Sequence, residues 1–180
     1  MNSRLITILS LIIIAALSRL LPHLPNFTPL TAIALFAGAT LANRYLSMFI
    51  PILIMLLSDA FMGFNGWHFM EQVVTVYGTY LVINLMGAAM QKNSGLLRVG
   101  ALTFTSSVLF FITTNFAVWM GGFFHTPALY PMNSFGLTEC YIAAIPFFKN
   151  ALAGDIFYSA VLFGSYYLLR INVPVLERET

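Results

Sequence analysis

The sequence predicts an all-α membrane protein built as a bundle of six transmembrane helices, and its composition and hydropathy pattern carry that prediction. Hydrophobic residues make up 59% of the 180 positions, charged residues only 8%, and the mean hydropathy is +0.87. The apolar residues form continuous runs, whereas a membrane β-barrel requires alternation. Such a composition excludes a water-soluble domain of this length, and no part of the chain is left over for one.

Six apolar runs are candidate spans. A hydrocarbon core about 30 Å thick needs roughly 20 apolar residues in a helix, and fewer where neighbouring helices cover a short one. The predicted spans are residues 5–21, 30–42, 46–62, 73–90, 99–122 and 148–169. The first is similar to the core of a signal peptide, but no small-residue cleavage site follows, so we expect a retained helix. In the last, we expect Pro146 to end or kink an interfacial piece that starts at Tyr141.

The connection between the first two spans, residues 19–29, has the sequence RLLPHLPNFTP. Its three prolines are expected to end the first span, stiffen the crossing and start the second span, where a missing N–H costs little. The segment also holds four candidate binding residues, Arg19, His23, Asn26 and Phe27. We therefore predict that it forms the first wall of a pocket.

The arginines and lysines predict the orientation. With six spans the two termini share one side, and that side collects six of the eight cations, namely Arg4, Arg44, Lys92, Arg98, Arg170 and Arg178. Only Arg19 and Lys149 lie on the other side. The positive-inside rule then places both termini in the cytoplasm and residues 19–29 outside.

Most of the remaining polar side chains lie toward the outer side of this predicted topology. Further candidate substrate-binding residues there are Asp59, Trp67, His68, Glu71, Asn115, His125, Cys140, Lys149 and Asp155. The inner loops are short and contain none of these candidate residues. Because ordered loops on a rigid scaffold usually carry binding, we predict a ligand pocket beneath the first, third and fifth loops.

Four ionisable groups lie within or near the hydrocarbon, and such groups usually pair with one another or face a cavity. One interpretation is structural, with Arg19 paired to Asp59 and Lys149 to Asp155. The other is that at least one of them meets a polar group of a ligand. Asp59 is favoured for that role because it leads directly into a segment of glycines and aromatic residues, SDAFMGFNGWH.

A protein metal site is not predicted. No two of the three histidines are three or four residues apart, and Cys140 is the one cysteine. A second hypothesis is that a histidine or Cys140 ligates a metal that is already part of an organic ligand, such as the cobalt of a corrinoid. No P-loop, GxSxG or HExxH motif occurs, so we expect neither ATP hydrolysis by this chain nor an enzyme. No nucleic-acid partner is expected.

Small residues recur on the second span as Ala34, Gly38 and Ala42. Such a ridge lets another helix approach closely, either inside the chain or from a partner subunit. Two mid-span amides, Asn84 and Asn115, are expected to find hydrogen-bond partners inside the bundle.

Several stretches carry a resemblance to a known group: RLLPHLPNFTPLTAIALFAGA, PILIMLLSDAFMGF, VYGTYLVINLMG, SSVLFFITTNFAVWM and FFKNALAGDIFYSAVLFG. Over about residues 19–164 the chain resembles small bacterial membrane proteins described as transport proteins. That group is similar to the substrate-binding S components of energy-coupling-factor (ECF) transporters. The resemblance implies a six-helix S component in the bacterial cytoplasmic membrane, which captures a vitamin or similar micronutrient from outside.

The resemblance also implies partners and a range of ligands. The partners are a transmembrane T subunit, which the Ala34/Gly38/Ala42 ridge could meet, and two ATPases. Nickel and cobalt S components have a histidine just after the initiator methionine, whereas this chain has Asn2, which disfavours bare metal ions. A corrinoid would use a cysteine or histidine, and riboflavin, biotin, thiamine and queuosine-like ligands stay open. The alternative is a structural or assembly scaffold whose polar residues satisfy one another and leave no cavity.

Overall fold

The computed structural model describes residues 3–63, 70–91 and 94–173, with only the backbone of Met70 and Glu71. Its helices are α1 (Ser3–Ser18), α2 (Leu30–Thr40), α3 (Arg44–Phe61), α4 (Met70–Ala88), α5 (Leu96–Met120) and α6 (Ser134–Asn172), with a short 3-10 turn at Gly121–Phe123. No strand occurs in these ranges. The predicted all-α class is therefore confirmed.

Three of the helices are long and apolar enough to cross a membrane. They are α3, α5 together with the 3-10 turn that follows it, and α6. α1, α2 and the residues 72–88 of α4 are shorter apolar helices. The chain is thus a helical membrane protein with three candidate spanning helices, and the six-span arrangement stays a prediction.

α2 is the central helix of the bundle. All eleven of its residues are buried, and it packs against each of the other five helices. On one side the Phe36 ring meets the rings of Phe163 and Tyr166 of α6 edge-on, with centroids 5.2 and 5.7 Å apart. On another side Ala34 and Leu35 join a cluster with Ile83 of α4 and its neighbours. Because other helices surround it, α2 need not be long enough to span the hydrocarbon alone.

The backbones of α2 and α4 approach closely at two glycines. A methyl group at Gly38 would overlap the backbone of Asn84, and one at Gly87 would overlap the backbone of Leu35. Glycine at both positions therefore allows a contact that any side chain would block.

The Asn84 side chain links α4 to α2 and α3 beside this contact. Asn84 is buried, and its Nδ2 donates to the carbonyl oxygens of Ala34 at 3.0 Å and Ser47 at 2.8 Å. The expectation that Asn84 finds partners inside the bundle is confirmed. α4 covers the predicted ridge at Ala34 and Gly38, which thus packs within the chain, and Ala42 alone of the ridge is exposed.

The helices α1 and α6 differ in extent from the spans predicted for them. α1 ends at Ser18, because the amides of Arg19, Leu20 and Leu21 bond to carbonyls three residues back and form a turn before Pro22. Pro146 does not end an interfacial helix, since α6 runs from Ser134 through the proline to Asn172. A proline removes a single intrahelical bond, and α6 is held against α5 on both sides of it. The Tyr141 hydroxyl donates to the Ile112 carbonyl at 2.7 Å, and the rings of Phe148 and Phe111 lie 4.7 Å apart.

The α1–α2 connection, residues 19–29, is exposed over residues 20–26 and packs against the bundle at its two ends. Its Phe27 ring packs against Phe157 and Tyr158 of α6 with centroids 5.9 and 5.7 Å away, and Ser18 donates to the Tyr158 hydroxyl at 2.9 Å. At 1.5 Å per residue, this level is about 36 Å along α6 from its first residue. The first half of α6 and the paired half of α5 therefore extend beyond residues 19–29 and form walls above them.

Candidate functional site

Two adjoining chambers lie where residues 19–29 meet α5 and α6. Their volumes are about 130 and 180 Å³, and we call them the first and second chamber. Four residues line both: Asn26, Phe110, Ala151 and Asp155. The Asp155 carboxyl group is thus placed at the partition between the two spaces.

The first chamber is a slot between α5 and α6. Its apolar walls are phenylalanines from both helices, namely Phe110, Phe111, Phe147 and Phe148. Polar groups enter from Asn26, Ser107, Thr114, Asn115 and Asp155. A few polar groups converging among aromatic walls are typical of small-molecule sites.

The second chamber lies at the centre of the bundle. It is lined by Arg19 after α1, Thr31 of α2, Met55 of α3, Val76 and Tyr80 of α4, and the shared residues of α5 and α6. The Tyr80 and Phe110 rings lie 5.1 Å apart at its edge. A change in the packing of any of these helices would therefore alter the shape of this chamber.

Asp155 is the central polar group of the site. Its side chain is only 4% exposed, and its Oδ2 accepts a hydrogen bond of 2.6 Å from the Ser107 hydroxyl. The Thr31 hydroxyl also lies within hydrogen-bonding reach of the carboxyl group. Within the described ranges both polar partners of this buried acid are neutral hydroxyls.

The predicted pairing of Lys149 with Asp155 was wrong. Lys149 is exposed, and it forms no ion pair with Asp155. Positions six residues apart differ by about 240° around an α-helix, so the two side chains leave α6 in different directions. Asp155 instead faces α5 and α2.

Asn26 reaches the chambers through an unusual backbone conformation. It has a φ of 63°, in the left-handed region that asparagine tolerates better than most residues. Beside it, Gly154 of α6 lets the chain pass closely, because a Cβ there would lie 3.2 Å from the Cα of Phe27 and from the amide nitrogen of Thr28. These two features bring residues 26–28 against α6 and place the Asn26 side chain in both chambers.

Arg19 and Asp59 form the pair that the structural interpretation anticipated. Arg19 Nη2 lies 2.7 Å from Asp59 Oδ1, and the two side chains are 13% and 12% exposed. Arg19 also donates to the Ser58 hydroxyl, and the Tyr77 hydroxyl donates to Asp59 Oδ2 at 3.3 Å. The pair joins the end of α1 to α3 and α4 beside the second chamber, so the charge of Arg19 is compensated where it borders the cavity.

Other candidate residues are placed away from the chambers. His23 is exposed, with Nδ1 2.9 Å from the Leu24 carbonyl oxygen. Phe27 packs against α6. The buried Cys140 thiol donates to the Asn115 carbonyl at 3.4 Å. His125 lines a separate recess of about 310 Å³.

Three candidates cannot be placed at the site. Trp67 and His68 lie outside the described residues, and for Glu71 only the backbone in α4 is described. In the part of the chain that is described, no three histidine, cysteine, aspartate or glutamate side chains come together as metal ligands. Four of the predicted substrate-binding residues therefore line the chambers, namely Arg19, Asn26, Asn115 and Asp155.

Sequence reasoning missed the hydroxyls and rings that complete the site. Ser107 donates a hydrogen bond to Asp155 and Thr31 lies within hydrogen-bonding reach of it, while Phe110 and Phe148 form walls. A signal for Ser107 was present, because Thr103 and Ser107 are hydroxyl residues one helical turn apart on a predicted span. Thr103 donates to Ser159 at 3.0 Å, one turn along the same α5–α6 interface but outside both chambers.

Comparison with known protein families identifies the family to which the chain belongs. Residues 1–176 match DUF6580, which is described as a family of unknown function. No curated protein matches the chain, and no solved structure matches it.

Proposed function

We propose that this chain, which belongs to the family of unknown function DUF6580, is the substrate-binding membrane subunit of an uptake system for a small micronutrient. The observation that carries the proposal is the pair of chambers around Asp155, where, among the described residues, hydroxyl groups are the hydrogen-bond partners of a buried carboxyl group beside aromatic walls. A buried ionisable group inside a membrane protein is a functional candidate by default. Its polar neighbours supply contacts that could select a ligand.

The proposal includes a six-span topology in a bacterial cytoplasmic membrane, with both termini inside. The cation distribution supports it, since six of eight lysines and arginines fall on the predicted inner side. The packing of α2 supports it as well, because a helix of eleven residues that is covered by its neighbours needs no contact with lipid across the whole core. In that orientation the chambers open toward the outer half of the membrane.

The dimensions of the site favour a ligand of one or two rings. Drug-sized ligands occupy pockets of about 300–1,000 Å³, and the two chambers together come close to the lower limit. A corrinoid is larger than this space. Cys140, one of the residues suggested for its metal, is buried against Asn115 rather than directed into a chamber. Among the ligands implied by the sequence resemblance, the smaller vitamins are therefore preferred over a corrinoid.

Release of the ligand to the other side would need an energy source outside this chain. The sequence has no P-loop, so the proposal retains the ECF T subunit and two ATPases as partners. Because α4 covers Ala34 and Gly38, we no longer assign the T-subunit contact to these two residues. Ala42 is exposed beyond the end of α2 and stays a candidate.

A panel of vitamins and related metabolites tests the proposal by thermal unfolding of the detergent-purified protein. We expect one compound to raise the unfolding temperature with increasing concentration, since a ligand at 100 times its Kd adds about 2.7 kcal/mol. Asn115→Ala removes an amide from the first chamber and is expected to weaken that effect at least tenfold.

The matched control is Thr103→Ala. It removes a hydroxyl from the same α5–α6 interface outside the chambers, so it is expected to lower stability without changing affinity. If no compound on the panel stabilises the protein, the binding proposal loses its support.

A ligand-free scaffold is the second candidate, and one observation favours it. Among the described residues, almost every buried polar side chain has a hydrogen-bond partner, and Ser106 Oγ is the exception. A scaffold would hold only water in the chambers. It predicts that replacements at Asn115 and Asp155 change stability alone.

A further inference from the structure

We propose that the ligand carries a planar, positively charged nitrogen group, such as an amidinium or a protonated aminoheterocycle, and that this group binds Asp155. The inference rests on the proposed binding function and adds the chemical class of the ligand. Three features of the chambers support it: their charge, the hydrogen-bonding capacity left on the carboxylate, and the shape of the aromatic walls.

Around the chambers, one acidic side chain has no basic partner among the described residues. Arg19 and Asp155 are the charged residues among the lining side chains of the second chamber. Arg19 is already neutralised by Asp59 at 2.7 Å and also donates to Ser58. The hydrogen-bond partners of Asp155 among the described residues are hydroxyls, and Lys149, the nearest cation along α6, is exposed. A carboxylate in a water-poor interior is stabilised by an opposite charge, which a cationic ligand would supply.

The carboxylate of Asp155 has room for further donors. An ionised carboxylate can accept about four hydrogen bonds. Ser107 supplies one at 2.6 Å, and Thr31 lies within reach to supply a second. Because Asp155 lies at the partition, a ligand in either chamber can reach it. A planar amidinium offers two parallel N–H donors, the geometry that pairs best with a carboxylate.

The walls of the first chamber suit an aromatic ring attached to this group. Phenylalanines of α5 and α6 face the space, and the rings of Phe111 and Phe148 lie 4.7 Å apart. Aromatic walls favour planar rings, and a cation near ring faces gains further attraction. A space of about 130 Å³ is of the size of a single ring with a small substituent.

An anionic ligand and a bare metal ion both fit the site less well. An anion would have to separate Arg19 from Asp59 and would then face Asp155 across the same chamber. A metal ion would find one carboxylate, because within the described ranges no cluster of three acidic, histidine or cysteine side chains occurs.

Three probes of nearly identical shape test the inference: benzamidine, benzamide and benzoate. We expect millimolar benzamidine to raise the unfolding temperature of the wild-type protein by several degrees, benzamide to act at least tenfold more weakly, and benzoate to have no effect. In Asp155→Asn the advantage of benzamidine over benzamide should disappear, since the charge that selects it is gone.

Two control variants complete the test. Ser106→Ala and Lys149→Met change a buried hydroxyl and a cation outside the chambers, and both should retain the preference for benzamidine. If Asp155→Asn does not fold, the order of the three probes on the wild-type protein decides alone. The inference is overturned if benzoate or benzamide matches benzamidine, if no probe binds, if benzamidine stabilises Asp155→Asn as well as the wild type, or if sodium ions alone produce the effect.

The outcome also separates this inference from the proposed function. A neutral or acidic compound from the vitamin panel that binds in the chambers would reject a cationic ligand and leave the binding function standing. Failure of the panel and of all three probes would reject both.

Discussion

Replacing Gly38 by alanine is expected to disrupt the bundle strongly, as is the same replacement at Gly87. The new Cβ would overlap the backbone of Asn84, which cannot move aside as a flexible side chain would. To relieve the overlap α2 must separate from α4, and the Asn84 bonds to Ala34 and Ser47 then lengthen. We expect a loss of more than about 4 kcal/mol, measured as the fall in the unfolding temperature or as the lost yield of folded protein.

Gly78→Ala is the matched control for this prediction. Gly78 lies in α4 as well, but nothing approaches within 4 Å of a Cβ built there. Alanine at this exposed helical position should be neutral or slightly stabilising. Equal stability of the Gly38 and Gly78 variants would contradict the close α2–α4 contact.

Arg19→Met is expected to have the second largest effect on stability. The variant keeps an apolar stem but removes the cation that lies 2.7 Å from the largely buried Asp59 carboxylate. Breaking one side of a buried ion pair typically costs about 3–5 kcal/mol, because the remaining charge is left in a low-dielectric surrounding. Chemical unfolding of the purified variant in detergent measures the loss.

A second variant and a control complete this test. Adding Asp59→Asn to Arg19→Met removes both charges and should restore a large part of the lost stability. Lys149→Met removes an exposed cation and should change stability by less than about 0.5 kcal/mol. If Arg19→Met is no less stable than Lys149→Met, the Arg19–Asp59 ion pair does not contribute to the stability of the protein.

Each of the six helices in the described residues overlaps one of the six apolar runs that hydropathy identified. The second helix was predicted well, as residues 30–42 against the observed Leu30–Thr40, since Pro29 and Asn43 mark its limits in the sequence. Pro146 misled the prediction of the sixth helix. A proline breaks a helix that has to stand alone, but α6 packs against α5 on both sides of it.

The site was predicted in part. Arg19, Asn26, Asn115 and Asp155 were identified because polar residues are conspicuous in an apolar chain. The partners of Asp155 were not, because a contact with Ser107 of α5 or Thr31 of α2 depends on how helices distant in sequence are rotated against one another. Spacing along one helix suggested Lys149 instead, at a position about 240° around α6 from Asp155.

The central claim is that the chambers around Asp155 hold a small molecule, and mass spectrometry of the material released when the purified protein is denatured tests it most directly. The account predicts one compound in near-stoichiometric amount from the wild-type protein and from Ser106→Ala, and its loss from Asp155→Asn. Wild-type protein that is folded, releases only lipid and detergent, and takes up no compound on addition would contradict it.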